Sequence, residues 1–330
     1  MKKKGLVEQV VLGKVKDKDF TVNDLPANRF QLFRFLMRNK LRQLYCNHLL
    51  SALFFIPLLA WAVLCISYTD LTFGDGTALE QLTRLPYYTA VVYGTAIPLW
   101  MLAFWGLSGG MFVTRKLCWG EPVVLRKDFK KGMKQSGGQF VFIGFITGIL
   151  WLIVAFSSKW LALYAMQYGA SILTSVGMGC LVIVALVLTG VTMFALSMAS
   201  LYNVSLGRLY INSFKLYFAT FLKSSGIVIC SVLLPLILII VPLVLTQLIA
   251  YCLFVVVQIG WMMLLFTLCS HSAFDKFINS KDYPDFYGKG LRYGKMDKAE
   301  AVEAVVEQPT NQPFEQQEVE DGFERPSGNN

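Results

Sequence analysis

Charge vanishes from this chain in long runs and returns between them. Leu85 to Thr114 and Gln135 to Ser158 contain no Asp, Glu, Lys or Arg, and Ser224 to Phe274 adds 51 further residues without one. A helix needs about 20 predominantly apolar residues to cross the roughly 30 Å hydrocarbon core of a bilayer. With no water there to satisfy backbone N–H and C=O groups, runs of this kind fold as transmembrane helices. The longest run would measure about 76 Å as one helix, which exceeds a single crossing, so two spans broken near Pro242 to Gln247 are predicted. With 55% hydrophobic residues, 15% charged and a mean hydropathy of +0.53, the chain leaves no soluble domain of useful size.

The charges that remain assign the loops to sides. Met111 to Gln139 holds Arg115, Lys116, Arg126, Lys127, Lys130, Lys131 and Lys134 against Glu121 and Asp128. Loops rich in Lys and Arg stay cytoplasmic. Residues 1–47 carry eleven basic residues against four acidic ones, and Arg208, Lys215 and Lys223 stand in a loop with no acid. By contrast, Thr69 to Pro86 has Asp70, Asp75 and Glu80 against Arg84 and reads as external, as does the aromatic belt of Trp160, Tyr164 and Tyr168. Six spans follow, at about 48–68, 88–113, 140–156 and 172–200 with two more between 224 and 274, and both termini are inside the cell.

The net charge of +9 divides unevenly. From Asp297 onward nine acidic residues face only Lys298 and Arg325, which puts this tail at −7 and the rest of the chain at +16. The organisation expected is a basic cytoplasmic segment with an amphipathic helix (1–47), a six-span membrane domain (48–272), a cytoplasmic juxtamembrane segment (273–296) and an acidic disordered tail (297–330). Basic loops facing anionic lipid explain the positive body, and no recognition motif argues for nucleic acid. Seven irregularly spaced cysteines, mostly inside apolar runs, predict no disulfide framework. Lys2 to Lys4 are followed by no apolar core, so no cleaved signal peptide is expected.

Ahead of the first span, Phe33, Leu36, Met37, Leu41 and Leu44 recur at helical spacing while Arg34, Arg38 and Arg42 form a row, the pattern of a helix lying on a membrane surface. Related segments precede the third and fifth spans. Phe33, Phe129 and Phe214 are each followed by a cation, Arg34, Lys130 and Lys215, and Met37-Arg38 matches Met133-Lys134, where the third copy has Phe218-Ala219. The fold class predicted is therefore all-α: a polytopic membrane helical bundle of six transmembrane helices arranged as three hairpins, each preceded by an amphipathic cytoplasmic helix. The competing explanation is that basic residues flank cytoplasmic span ends in any multi-pass protein.

Three segments, FRFLMRN from Phe33, GGMFVTRKLCWGEPVVLRKDFKKGMKQS from Gly109 and LYINSFKLYFATFLKSS from Leu209, resemble the YesL-like family of bacterial integral membrane proteins, a domain of unknown function. The resemblance implies a small helical membrane protein accessory to carbohydrate uptake. It implies no catalytic residues.

Candidate sites read from the residues are few. No Asp, Glu, Lys or Arg falls inside any predicted span, which argues against ion-coupled transport. Gln258 is expected to hydrogen-bond between helices, and Gly106 with Gly110 and Gly144 with Gly148 to permit close helix packing. Pro57, Pro98, Pro235 and Pro242 could kink spans around a cavity. Cys46 with His48 and Cys269 with His271 would make a four-ligand metal site if the first and last spans met. Residues two apart on a helix point about 200° from one another, so interfacial histidines are the better reading, and no metal or cofactor is expected. No nucleophile with a base, phosphate-cradling loop or paired carboxylate is present, so no enzyme is expected. Nor do the cytoplasmic loops resemble the EAA-type coupling motif of sugar-importer permeases, which argues against the chain being the permease itself. What remains is a membrane accessory protein whose candidate contacts with anionic headgroups, or with a transporter or cytoplasmic partner, are Phe33, Arg34, Arg38, Arg115, Lys116, Phe129, Lys130, Lys131, Lys134, Phe214 and Lys215. The alternative is a transporter or channel for a neutral solute or lipid.

Overall fold

The computed structural model describes residues 25–73, 78–240 and 257–292, together with Ile249 and Leu253. Among these, all regular structure is helical. The break predicted at Pro242 to Gln247, the acidic tail and residues 1–24 lie outside the described residues.

Nine α-helices are described: α1 (Arg29–Asn39), α2 (Leu41–Ala52), α3 (Ile56–Phe73), α4 (Ala78–Cys118), α5 (Leu125–Tyr168), α6 (Ile172–Leu201), α7 (Leu206–Ala219), α8 (Phe221–Ile240) and α9 (Ile259–Phe274). A 3-10 turn, Leu53–Phe55, joins α2 to α3. Four helical stretches are long and apolar enough to cross a membrane: Leu41–Cys65, Thr83–Cys118, Leu125–Tyr168 and Ile172–Leu201. Large apolar side chains on them face outward. On α6 Ile172 is 85% exposed, Leu173 73% and Val182 69%, and exposed apolar side chains of this kind suit lipid better than water.

Local sequence sets the helix ends. Asn28 caps α1, its Oδ1 accepting from the Gln31 amide at 2.8 Å while the Gln31 side chain accepts from the Ala27 amide at 2.9 Å. Ser171 and Thr174 form a reciprocal capping box at the start of α6. The external loop predicted at 69–86 is much shorter than expected, because α3 continues to Phe73 and α4 begins at Ala78. Asp70, Glu80 and Arg84 therefore lie on helices.

The three lead helices differ in kind. Those of the first and third units are separate elements ending in matching elbows, at Lys40 (φ −124°, ψ 13°) and at Thr220 (φ −124°, ψ 25°). The second is no separate surface helix: Phe129 to Gln135 form the first turns of α5, continuous with its span. That helix packs closely against α4. A Cβ added at Gly132 would come within 2.5 Å of the Phe112 Cβ, one at Gly137 within 2.8 Å of the Trp105 ring and one at Gly144 within 2.9 Å of the Phe104 Cβ. Small residues of α5 thus receive large ones of α4 along an antiparallel seam. In the other direction Gly109 receives Phe129, at 2.8 Å. The glycine pairs noted in the sequence serve packing within the chain, Gly106 against Phe54 and Gly110 against Ser51 and Met263.

The core is concentrated toward the basic end of the bundle. Tyr217, Phe140, Phe194, Phe274, Met111 and Met193 are among its largest fully buried side chains. A second cluster, Leu32, Leu36, Val113, Leu117, Phe129, Leu264, Leu268 and Leu291, joins α1 to the ends of α4 and α9.

Candidate functional site

The basic end is built by four segments: α1, the turn between α4 and α5, α7, and the stretch that follows α9. Its centre is polar and buried. Arg29 Nη2 pairs with Asp275 Oδ2 at 2.5 Å, and the other carboxylate oxygen accepts from Asn279 Nδ2 at 2.9 Å and, less closely, from the Gly288 amide at 3.4 Å. Asn279 Oδ1 in turn accepts from the Tyr202 hydroxyl at 2.5 Å. Burial, reinforced by the negative charge of Asp275, pushes the Tyr202 phenol well above its ordinary range. This chain of bonds ties the start of the described chain to the end of α6 and to the segment after α9.

A second layer surrounds Trp119. Lys289 Nζ lies 4.1 Å from its ring centroid, the Arg115 guanidinium 5.0 Å away, and Phe286 stacks on it at 5.5 Å. Lys289 also pairs with Glu121 at 2.9 Å. The segment closes with the Arg292 amide donating to the Pro26 carbonyl at 3.0 Å. Gly290, at φ +86°, lies so close to the Cys118 carbonyl that no side chain fits.

Three of the sequence candidates belong to this interior. Arg115 is buried, donates to the Ser200 carbonyl and stacks on Phe112 with 4.5 Å to the centroid. Lys116 pairs with Asp128 at 3.0 Å, and Asp128 also accepts from the Val124 amide at 2.8 Å. Phe129 is a buried core residue. All three are held by contacts within the chain.

The remaining candidates divide by contact. Phe33 packs edge-on against Trp261 at 5.5 Å, and Phe214, 52% exposed, lies 4.6 Å from the Phe218 ring. Arg34, Arg38, Lys130, Lys131, Lys134 and Lys215 are exposed, and none is in an ion pair among the described residues. Sequence reasoning missed Arg29, Asp275, Asn279, Tyr202 and Trp119. The available signal was Asp275 itself, an acid that immediately follows the long uncharged run.

The Cys/His pairs lie apart. His48 packs on Gly260, where an added Cβ would stand 2.7 Å from its own, whereas His271 lies against Trp119 with ring centroids 6.1 Å apart. Gly260 and His271 are separated by about 16 Å along α9. Gln258 is buried on the turn leading into α9. Compared with known proteins, the chain matches no family model, no curated protein and no solved structure.

Proposed function

We propose that this chain is a non-enzymatic multi-pass accessory protein of the cell membrane, crossing it six times with both termini in the cytoplasm. Its basic end holds anionic lipid headgroups and presents a docking face to a membrane transporter or cytoplasmic partner. One observation carries this reading: Arg34, Arg38, Lys130, Lys131, Lys134 and Lys215 are exposed on one end of the bundle, outside every ion pair among the described residues. Each such cation near an anionic leaflet contributes about 1 kcal/mol of attraction, so a cluster is an effective anchor. The core at this end is filled by Phe140, Phe194, Phe274 and Tyr217, which favours the accessory role over a solute pathway. The link to carbohydrate uptake comes from the resemblance to YesL-like proteins alone.

The test compares wild type with K130Q/K131Q/K134Q, by affinity capture from native membranes and by binding to vesicles containing phosphatidylglycerol. Loss of a captured partner or of vesicle affinity is expected. Identical partners together with identical lipid affinity would overturn the proposal.

A further inference from the structure

The elbow at Thr220 encloses a half-open cavity of about 490 Å³ between the α7–α8 junction and the end of α9. This lies within the size range of small-molecule sites. Two cations stand on it, Lys223 from α8 and Lys276 just beyond α9. Lys223 Nζ donates to Ser272 Oγ at 2.9 Å, which fixes the ammonium at the cavity and leaves two of its three N–H donors available. Lys276 lies one helical turn beyond Ser272 and is exposed, with its Nζ 5.1 Å from the Phe277 ring. Neither lysine is in an ion pair among the described residues, and the three paired carboxylates of this end face Arg29, Lys116 and Lys289 instead. The cavity thus presents uncompensated positive charge and a hydroxyl.

Its walls are of the opposite character. Phe218 is 48% exposed and Leu222 87% exposed, and α8 continues from here as an apolar helix. A ligand suited to both surfaces carries a phosphate to meet the lysines and hydrocarbon to run along Leu222 and Phe218. We propose that this cavity is a discrete binding site for the headgroup phosphate of one anionic phospholipid, with the acyl chains lying against α8. This deepens the lipid-binding reading above and rests on the same membrane placement. It differs in predicting a single saturable site, at residues outside the Lys130 to Lys134 cluster.

The experiment uses the full chain, delipidated in mild detergent and titrated with phosphatidylglycerol or phosphatidylcholine under native mass spectrometry. Wild type should retain one phosphatidylglycerol per chain in preference to phosphatidylcholine. K223Q/K276Q should bind it roughly thirtyfold more weakly, K223R/K276R should restore binding, and thermal unfolding should confirm that each variant is folded. K130Q/K131Q/K134Q should retain the bound lipid, so the two proposals fail separately. Equal retention of phosphatidylcholine, unchanged binding by K223Q/K276Q, or equal loss in the Lys130 cluster variant would overturn the assignment. So would displacement of the lipid by inorganic phosphate at equal concentration, which would identify a free phosphate site.

Discussion

Asp275 shows how one buried charge depends on its neighbours. It compensates Arg29 and accepts from Asn279 and Gly288, so Asp275→Asn leaves the Arg29 guanidinium buried without its counter-charge. Removing one partner of such a pair costs about 3–5 kcal/mol. A large drop in the thermal unfolding midpoint in detergent is therefore expected, and R29M/D275L should recover much of it because the orphan charge is gone. Tyrosines of the same end give a pH dependence. Burial pushes the Tyr210 phenol up to about 12, and Tyr202 is also raised. An unfolded phenol titrates near 10. The folded state therefore holds these protons more tightly, and the stability they confer is fully present below about pH 10 and is lost as the pH rises from there toward 12. Unfolding midpoints followed across that interval should fall, and less steeply for Tyr210→Phe. The sequence made the cations visible but not their partners, because Asp275 and Asn279 become a site only when the segment after α9 folds back against α1. Arg115 and Lys116 read as surface charge for the same reason: nothing local reveals that Ser200 and Asp128 will meet them.

At the scale of the helix, the hairpin of α4 and α5 depends on absent side chains. Gly132 receives the Phe112 Cβ, whereas Gly138 on the same helix has open space around it. Gly132→Ala must displace α4 or Phe112, an overpacking that costs about 1–3 kcal/mol. Gly138→Ala adds only helix propensity and should stabilise by about 0.5–1 kcal/mol. Opposite signs from two identical substitutions six residues apart, measured by thermal unfolding in one detergent, would confirm that the seam sets the hairpin. Two similar shifts would show that helix propensity dominates. Helix existence was legible here from hydropathy. What was not legible was the fusion of the second lead helix with its span, since its basic face matches that of α1 while its continuity is decided by glycines meeting aromatics on a different helix. The elbows at Lys40 and Thr220 show the converse, two dissimilar residues in nearly the same backbone conformation where the chain turns from lead helix to apolar helix.

For the whole molecule, the decisive quantity is which end of the bundle faces the cytoplasm. The uncharged runs revealed membrane helices because burying charge in hydrocarbon is so unfavourable that its absence over some 20 residues has few other causes. The structure adds an asymmetry to this. Its polar and ionic contacts gather with the exposed cations at one end, while the other carries Trp160, Tyr164 and Tyr168 on the last turns of α5. A surface rich in Lys and Arg is retained on the cytoplasmic side, and aromatic residues gather at the membrane interface. Two single-cysteine variants on a background without the native cysteines test the orientation, Lys131→Cys at the basic end and Gln167→Cys at the aromatic end. Both parent residues are exposed, so neither thiol is shielded by the fold. In intact cells a membrane-impermeant maleimide should label Gln167→Cys and leave Lys131→Cys unmodified until the membrane is permeabilised. The reverse pattern would place the basic end outside, where it meets no anionic cytoplasmic leaflet, and both lipid-binding proposals would lose their physical basis.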